Sequence, residues 1–305
     1  MSNRTNKTAT IAVIALIIAQ IFWGTSYIIT EKALAVFPPA TLVSIRLTIA
    51  TGVLGSIALT MGKLVRVPWR VFRWFILAAF CELYLYFICE ASAVQQVGSM
   101  VTCVVLAFIP LLTPFFTYFF IHEKVTILNV VGIVISIAGA LLVILEKGKF
   151  TADPIGLVYL GLAMLSAVVY SLVLHRVPAE YNTLSVVFYM LCISLIFFIP
   201  TALIADMDQM KTAFATLPAS ELRTAFLDVV LLALTSSCIA FLFYSYGMRI
   251  IGPNRAAVFN NIQPAVTALF VWMLAMINDE PNPMTWVKTV GIMIVIVGMF
   301  ISQKK

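Results

Sequence analysis

The feature that most restricts this chain is a succession of ten apolar segments, most of them about 20 residues long, joined by short polar turns. A helix of that length crosses roughly 30 Å of hydrocarbon at 1.5 Å per residue. Inside hydrocarbon every backbone N–H and C=O must be bonded within the protein, which only helices and closed barrels achieve. Alternation of apolar and polar residues over about ten positions is absent, so a helical bundle is expected and a β-barrel is not. Of the 305 residues, 62% are hydrophobic and 10% charged, too apolar for a water-facing surface. Spans are expected at 9–30, 40–60, 72–92, 98–121, 126–145, 154–175, 183–205, 222–247, 255–277 and 286–302. The longest loop is expected at 206–221. No soluble domain fits between the spans.

The segments read twice. Gly98 and Pro110 are twelve residues apart, as are Gly252 and Pro264. Thr113 and Thr267 each follow their proline by three, and Gly132–Gly139 and Gly291–Gly298 each span seven. Residues 87–98 (FICEASAVQQVG) align without gaps to 241–252 (FLFYSYGMRIIG). The expected architecture is an all-α membrane protein of ten transmembrane helices, built as a first five-helix repeat over 1–150 and a second over 151–305. An odd number of spans per copy makes the second copy enter the membrane from the opposite side. Inverted repeats of this kind point to alternating access around a site between the halves.

Charge sets orientation here rather than binding nucleic acid. With the N-terminus inside, the inner loops and tails carry twelve Lys and Arg and the outer loops six. Lys63, Arg66, Arg70 and Arg73 form the strongest inner cluster. Both termini are therefore expected in the cytoplasm, in the plasma (inner) membrane. The first span follows Arg4 and Lys7, lacks a small-residue cleavage site, and is read as uncleaved. The five cysteines are isolated in apolar runs without metal or redox spacing, as small buried hydrophobes would be.

Several stretches resemble EamA-type members of the drug/metabolite transporter superfamily. FWGTSYIITEKAL (22–34) is similar to the opening helix of that family, and SIRLTIA (44–50) to its arginine-bearing second helix. AFIPLLTPFF, the HEK turn and VVGIVISIAG, all within 107–139, resemble its fourth and fifth helices. QPAVTALF, NDE and TVGIMIVIVG, within 263–298, repeat the pattern. The resemblance implies ten helices in two inverted repeats, a central cavity, and export or exchange of small metabolites. The third helix departs from the pattern, with Glu82 and Glu90 where such helices are commonly apolar or aromatic. The NDE turn is also two residues longer than its counterpart.

Charged groups at a span centre cost about 2.5–3.5 kcal/mol on insertion scales, so each needs a reason. Glu82 lies about ten residues into the third span, about 15 Å deep by helical rise. Tyr86 and Glu90 follow one and two turns later on the same face. Glu82 is expected either to face the cavity, binding a cationic or amino-bearing substrate or exchanging a proton for it, or to be a neutral packing residue. Arg46, Glu31, Glu90 and Asp228 share an outer depth, which fits an ion pair that closes a gate or a static pair that neutralises Arg46. Gln20, Trp23, Ser166, Tyr170, Ser236, Ser237, Asn260, Asn261 and Gln263 project to the middle of their spans. Pro110 and Pro264 each remove a backbone donor there. The small residues at Gly132, Gly139, Gly291 and Gly298 mark helices five and ten as scaffold or homodimer-contact elements.

These features favour a secondary active transporter of small amphipathic metabolites such as amino acids or amines. A carrier of organic cations, lipids or nucleotide-sugar-like substrates on the same scaffold is the alternative. No GxxxxGK[ST] motif is present, so the energy would come from a substrate or proton gradient. An intramembrane enzyme lacks its residues: His122 and His175 stand at helix ends, and HEKVT is not HExxH. A pore would need a filter motif, and none is visible. No cofactor or metal is expected, and the expected partners are a small-molecule substrate, protons and the lipid bilayer.

Overall fold

The computed structural model describes residues 2–109, 112, 116, 126–146, 149–150, 153–174, 176–177, 180–252, 256, 258–279 and 285–302. Pro110, Thr113, His122, Lys124, Lys147, His175, Arg255, Lys304 and Lys305 lie outside the described residues, as do the side chains of Arg4, Lys7, Lys149 and Asn261.

The described chain is almost entirely helical. In order come α1 (Ser2–Leu34), α2 (Pro39–Thr60), α3 (Trp69–Ala78) and α4 (Phe87–Leu106). Then follow α5 (Ile127–Ile144), α6 (Pro154–Leu174), α7 (Thr183–Thr201) and α8 (Met207–Thr216). The last are α9 (Ala219–Leu232), α10 (Phe241–Ile251), α11 (Gln263–Ile277) and α12 (Trp286–Ser302). The starts are set by proline and by capping. Pro38, Pro68 and Pro218 precede α2, α3 and α9 in extended conformation, where a missing N–H costs nothing. Asn182 caps α7 by accepting the Ser185 N–H at 2.9 Å. Gly62, at φ +60°, follows α2.

Among the described residues, six helical stretches are long and apolar enough to cross a membrane, and three shorter apolar helices fall at 130–139, 263–277 and 286–298. The third and fourth expected spans meet within Trp69–Leu106 at a kink at Gly98 (φ 80°, ψ 166°), where two helices abut, a conformation that needs the missing Cβ; most of the fourth span beyond Ile109 lies outside the described residues. The expected loop at 206–221 is largely helical, because α7 continues through a π-helical turn, Ala202–Asp206, into α8. That turn follows Pro200, which cannot donate into the helical ladder. Arg249 belongs to the last turn of α10 rather than to a loop.

Apolar side chains cover the outside: Ile204, Ile127 and Trp286 are 85%, 83% and 81% exposed, whereas Gln20, Arg46 and Gln263 are buried. This is the distribution that hydrocarbon, not water, stabilises.

Corresponding helices of the two halves run antiparallel against each other. At one end of the α2–α7 pair, Ser44 Oγ donates to the Phe198 carbonyl at 3.1 Å and Asp206 Oδ2 accepts the Thr41 N–H at 2.6 Å. At the other end the Lys63 carbonyl accepts from Asn182 Nδ2 at 2.8 Å and from Ser185 Oγ. The α5–α12 pair does the same through its small residues. Ser136 Oγ donates to the Val295 carbonyl at 3.2 Å. A methyl on Gly139 would meet the Gly291 carbonyl at 2.6 Å, and one on Gly298 the Gly132 carbonyl at 2.7 Å. The glycine pairs of the sequence thus join the two halves within one chain. α1 packs on α10 and α11, and α6 packs on α4, so each half's first helix sits in the other half.

Gly139→Ala and Gly298→Ala force two backbones apart and are expected to destabilise by about 1–3 kcal/mol. Gly52→Ala, whose methyl meets nothing within 4 Å, is expected to leave stability unchanged or raise it slightly. Thermal unfolding in detergent separates the two classes.

Candidate functional site

Two further π-helical stretches shape the interior. Ala79–Tyr86 joins α3 to α4, and Ala233–Ala240 joins α9 to α10, each eight residues long. The interval between them equals that between Gly98 and Gly252, the two glycines with φ of 80° and 88°. A π turn displaces carbonyls from the helical ladder, and such turns concentrate at functional positions. Here each half supplies the donor for the other. Trp23 Nε1 donates to the Ser236 carbonyl at 3.2 Å, and Ser166 Oγ donates to the Cys81 carbonyl. Trp23 lies on α1 and Ser166 on α6, the first helices of their halves, and each is followed four residues later by a buried tyrosine, Tyr27 and Tyr170.

Between these stretches is a small chamber of about 60 Å³, room for a few water molecules. Trp23, Arg46, Glu82, Tyr86, Glu90, Tyr170, Ser236, Asn260 and Gln263 all line it. The predicted stripe is present as written: Glu82, Tyr86 and Glu90 face one space, and Tyr86 Oη donates to Glu90 Oε1 at 3.1 Å. Glu82 Oε2 is enclosed and, among the described residues, has no hydrogen-bond partner.

Gln20 stands behind the wall instead of in it. It is fully buried, donates from Nε2 to Asn260 Oδ1 at 3.0 Å, and accepts from Gln263 Nε2. Gln263 Oε1 in turn accepts from Tyr27 Oη at 3.2 Å. This relay fixes the polar start of α11 against α1. Pro264, in the first turn of α11, leaves no orphaned donor there. Thr267, one turn on, donates to the Gly24 carbonyl at 2.7 Å, where a Cβ on Gly24 would strike Val266.

Of the four residues grouped by outer depth, Arg46 and Glu90 line one chamber, and Glu31 and Asp228 lie apart from it. Arg46 is buried, donates from Nε to Ser237 Oγ at 2.7 Å, and lies 4.4 Å from the centroid of the Phe87 ring. Glu90 shares the chamber with it, but among the described residues the only ion pair within 4 Å is the exposed Lys211–Asp208. Glu31 is exposed and accepts the Ser99 N–H at 3.2 Å, just past the Gly98 break, where a carboxylate suits a helix start. Asp228 borders a separate surface recess with Lys32. Equal depth put these groups in one layer, but azimuth around the bundle separates Glu31 and Asp228 from Arg46 and Glu90.

Sequence reasoning missed Tyr27, Phe87 and Tyr244 as chamber walls. Tyr244 packs on Trp23 with ring centroids 4.8 Å apart, and it occupies the position that Glu90 holds in the gap-free repeat alignment. Tyr27 lies one turn beyond Trp23. Both signals were there to be used.

The profile of the EamA-like transporter family matches residues 10–145 and again residues 154–302. The chain belongs to the EamA-like transporter family. It is therefore a multi-pass integral membrane protein of the drug/metabolite transporter superfamily, a family of transporters and not of enzymes. A crystal structure described only as that of a protein shares the fold, with a TM-score of 0.67 and 22% identity over 95% of each chain. Among curated proteins none matches.

Ser166→Ala leaves the Cys81 carbonyl without its donor and is expected to cost about 1–3 kcal/mol, and Trp23→Phe does the same to the Ser236 carbonyl. Ser236→Ala keeps the carbonyl that Trp23 uses and is expected to unfold close to wild type. Chemical denaturation of the three variants checks this.

Proposed function

We propose that this protein is a secondary active transporter, an exporter or exchanger of small amphipathic metabolites such as amino acids or amines. The two five-helix halves, 1–150 and 151–305, are inverted relative to each other, and rocking between them exposes the chamber to one side and then the other. Support for the inversion comes from α2 with α7 and α5 with α12, corresponding helices that pack antiparallel. The inner-loop excess of lysine and arginine favours cytoplasmic termini and the plasma (inner) membrane.

The observation that carries this reading is the enclosed Glu82 carboxyl, which has an oxygen without a partner among the described residues, in a chamber built from both halves. A buried acceptor left open is costly unless something fills it. An ammonium group or a proton does so. Glu82 and Glu90 are the acids of the chamber wall and Arg46 its cation, which favours amine-bearing or zwitterionic cargo over phosphorylated cargo. Tyr86, Tyr170, Tyr244 and Trp23 give the apolar part of such a molecule an aromatic surface. In this reading Arg46 and Glu90 are gating charges that change partners as the halves move, while Glu31 and Asp228 act at the outer rim. Organic cations are the second reading, favoured by the same two acids.

Reconstituted into proteoliposomes, wild-type protein is expected to move an amino-bearing substrate faster under a pH gradient. Glu82→Gln should retain binding and lose that acceleration. Undiminished pH-driven transport by Glu82→Gln would remove the carboxyl from the mechanism.

A further inference from the structure

A second hollow is much larger than the chamber: a cleft on the lipid-facing side of about 930 Å³, against about 60 Å³ for the chamber. One wall is a stripe on α1, Ile11, Ile14 and Ile18, spaced as one face of a helix. The facing wall is Leu242 and Phe243 on α10. These walls alone would admit any acyl chain.

The end of the cleft is different. Lys63, just after α2, and Arg249, in the last turn of α10, both border it. The Lys63 backbone is held in place, its carbonyl accepting from Asn182 and Ser185. Its side chain is exposed, and among the described residues it has no acidic partner within 4 Å. Arg66 and Arg70, also exposed, follow in the next stretch of chain. Two cations bordering an apolar slot complement a phosphodiester head above two hydrocarbon tails. A zwitterionic head brings its own cation and gains less.

The geometry points to a binding site for one anionic phospholipid in the cleft between α1 and α10, its phosphate on Lys63 and Arg249 and its chains along the isoleucine stripe. Anionic headgroups favour basic pockets between helices at the cytoplasmic face, the face to which the positive-inside bias assigns this end. The site is separate from the chamber and does not depend on what the chamber carries.

Native mass spectrometry of the full-length protein, titrated separately with phosphatidylglycerol, phosphatidylcholine and inorganic phosphate, tests it. Wild type should retain one phosphatidylglycerol at least about fivefold more tightly than phosphatidylcholine, and Lys63→Gln should lose about fivefold of that retention. Ile14→Trp, which narrows the slot without altering charge, should weaken both lipids. Lys211→Gln, remote from the cleft, should change neither. Lys63 and Ile14 are exposed, so both variants should keep the wild-type elution profile. Equal retention of the two lipids by wild type, unchanged phosphatidylglycerol binding in both cleft variants, or displacement of the lipid by inorganic phosphate would each overturn the assignment.

Discussion

Hydrocarbon offers no hydrogen bonds, and that absence governs this structure. A π turn in a water-exposed helix would hand its displaced carbonyls to solvent. Deep in a bundle, the donor must come from the protein. The two halves meet this demand reciprocally: Trp23 reaches from the first half to the Ser236 carbonyl, and Ser166 reaches from the second to the Cys81 carbonyl. Neither half could bury its own π stretch as well alone. The interface between the halves is therefore where the backbone opens and where the chamber forms.

The scaffold is repeated but the chemistry is not. The π stretches, the positive-φ glycines and the buried tyrosines recur in both halves. The charges do not. Glu82 stands where the second half has Ser236, and Glu90 where it has Tyr244. A symmetric frame with two-fold-related openings suits the proposed alternating access. In the proposed reading, acids confined to one side of the chamber orient an amine-bearing cargo, its cationic end toward α3 and α4 and its apolar body among the aromatic rings of α1, α6 and α10. The small-residue contact between α5 and α12 stands apart from the chamber and ties the halves together where little polar chemistry is needed.

Much of this was legible in the chain. Periodic glycines at 98 and 252 announced the repeat because only a residue without Cβ tolerates φ near +80°. The acidic stripe on the third helix was legible because residues four apart share a face in any helix. Two things were not. The helix at 207–216 was hidden because its polar sequence looks like a loop until α7 continues into it. The separation of Glu31 and Asp228 from Arg46 was hidden because depth can be counted along a sequence, whereas rotation about the bundle axis depends on packing.

The account rests on the two halves facing opposite ways through the membrane, and side-specific labelling tests this most directly. In a cysteine-free background, Val65→Cys reports the loop after α2, and Leu217→Cys the corresponding loop between α8 and α9. A membrane-impermeant thiol reagent applied to sealed, oriented vesicles should label the two positions from opposite faces. Labelling of both from the same face would contradict the account.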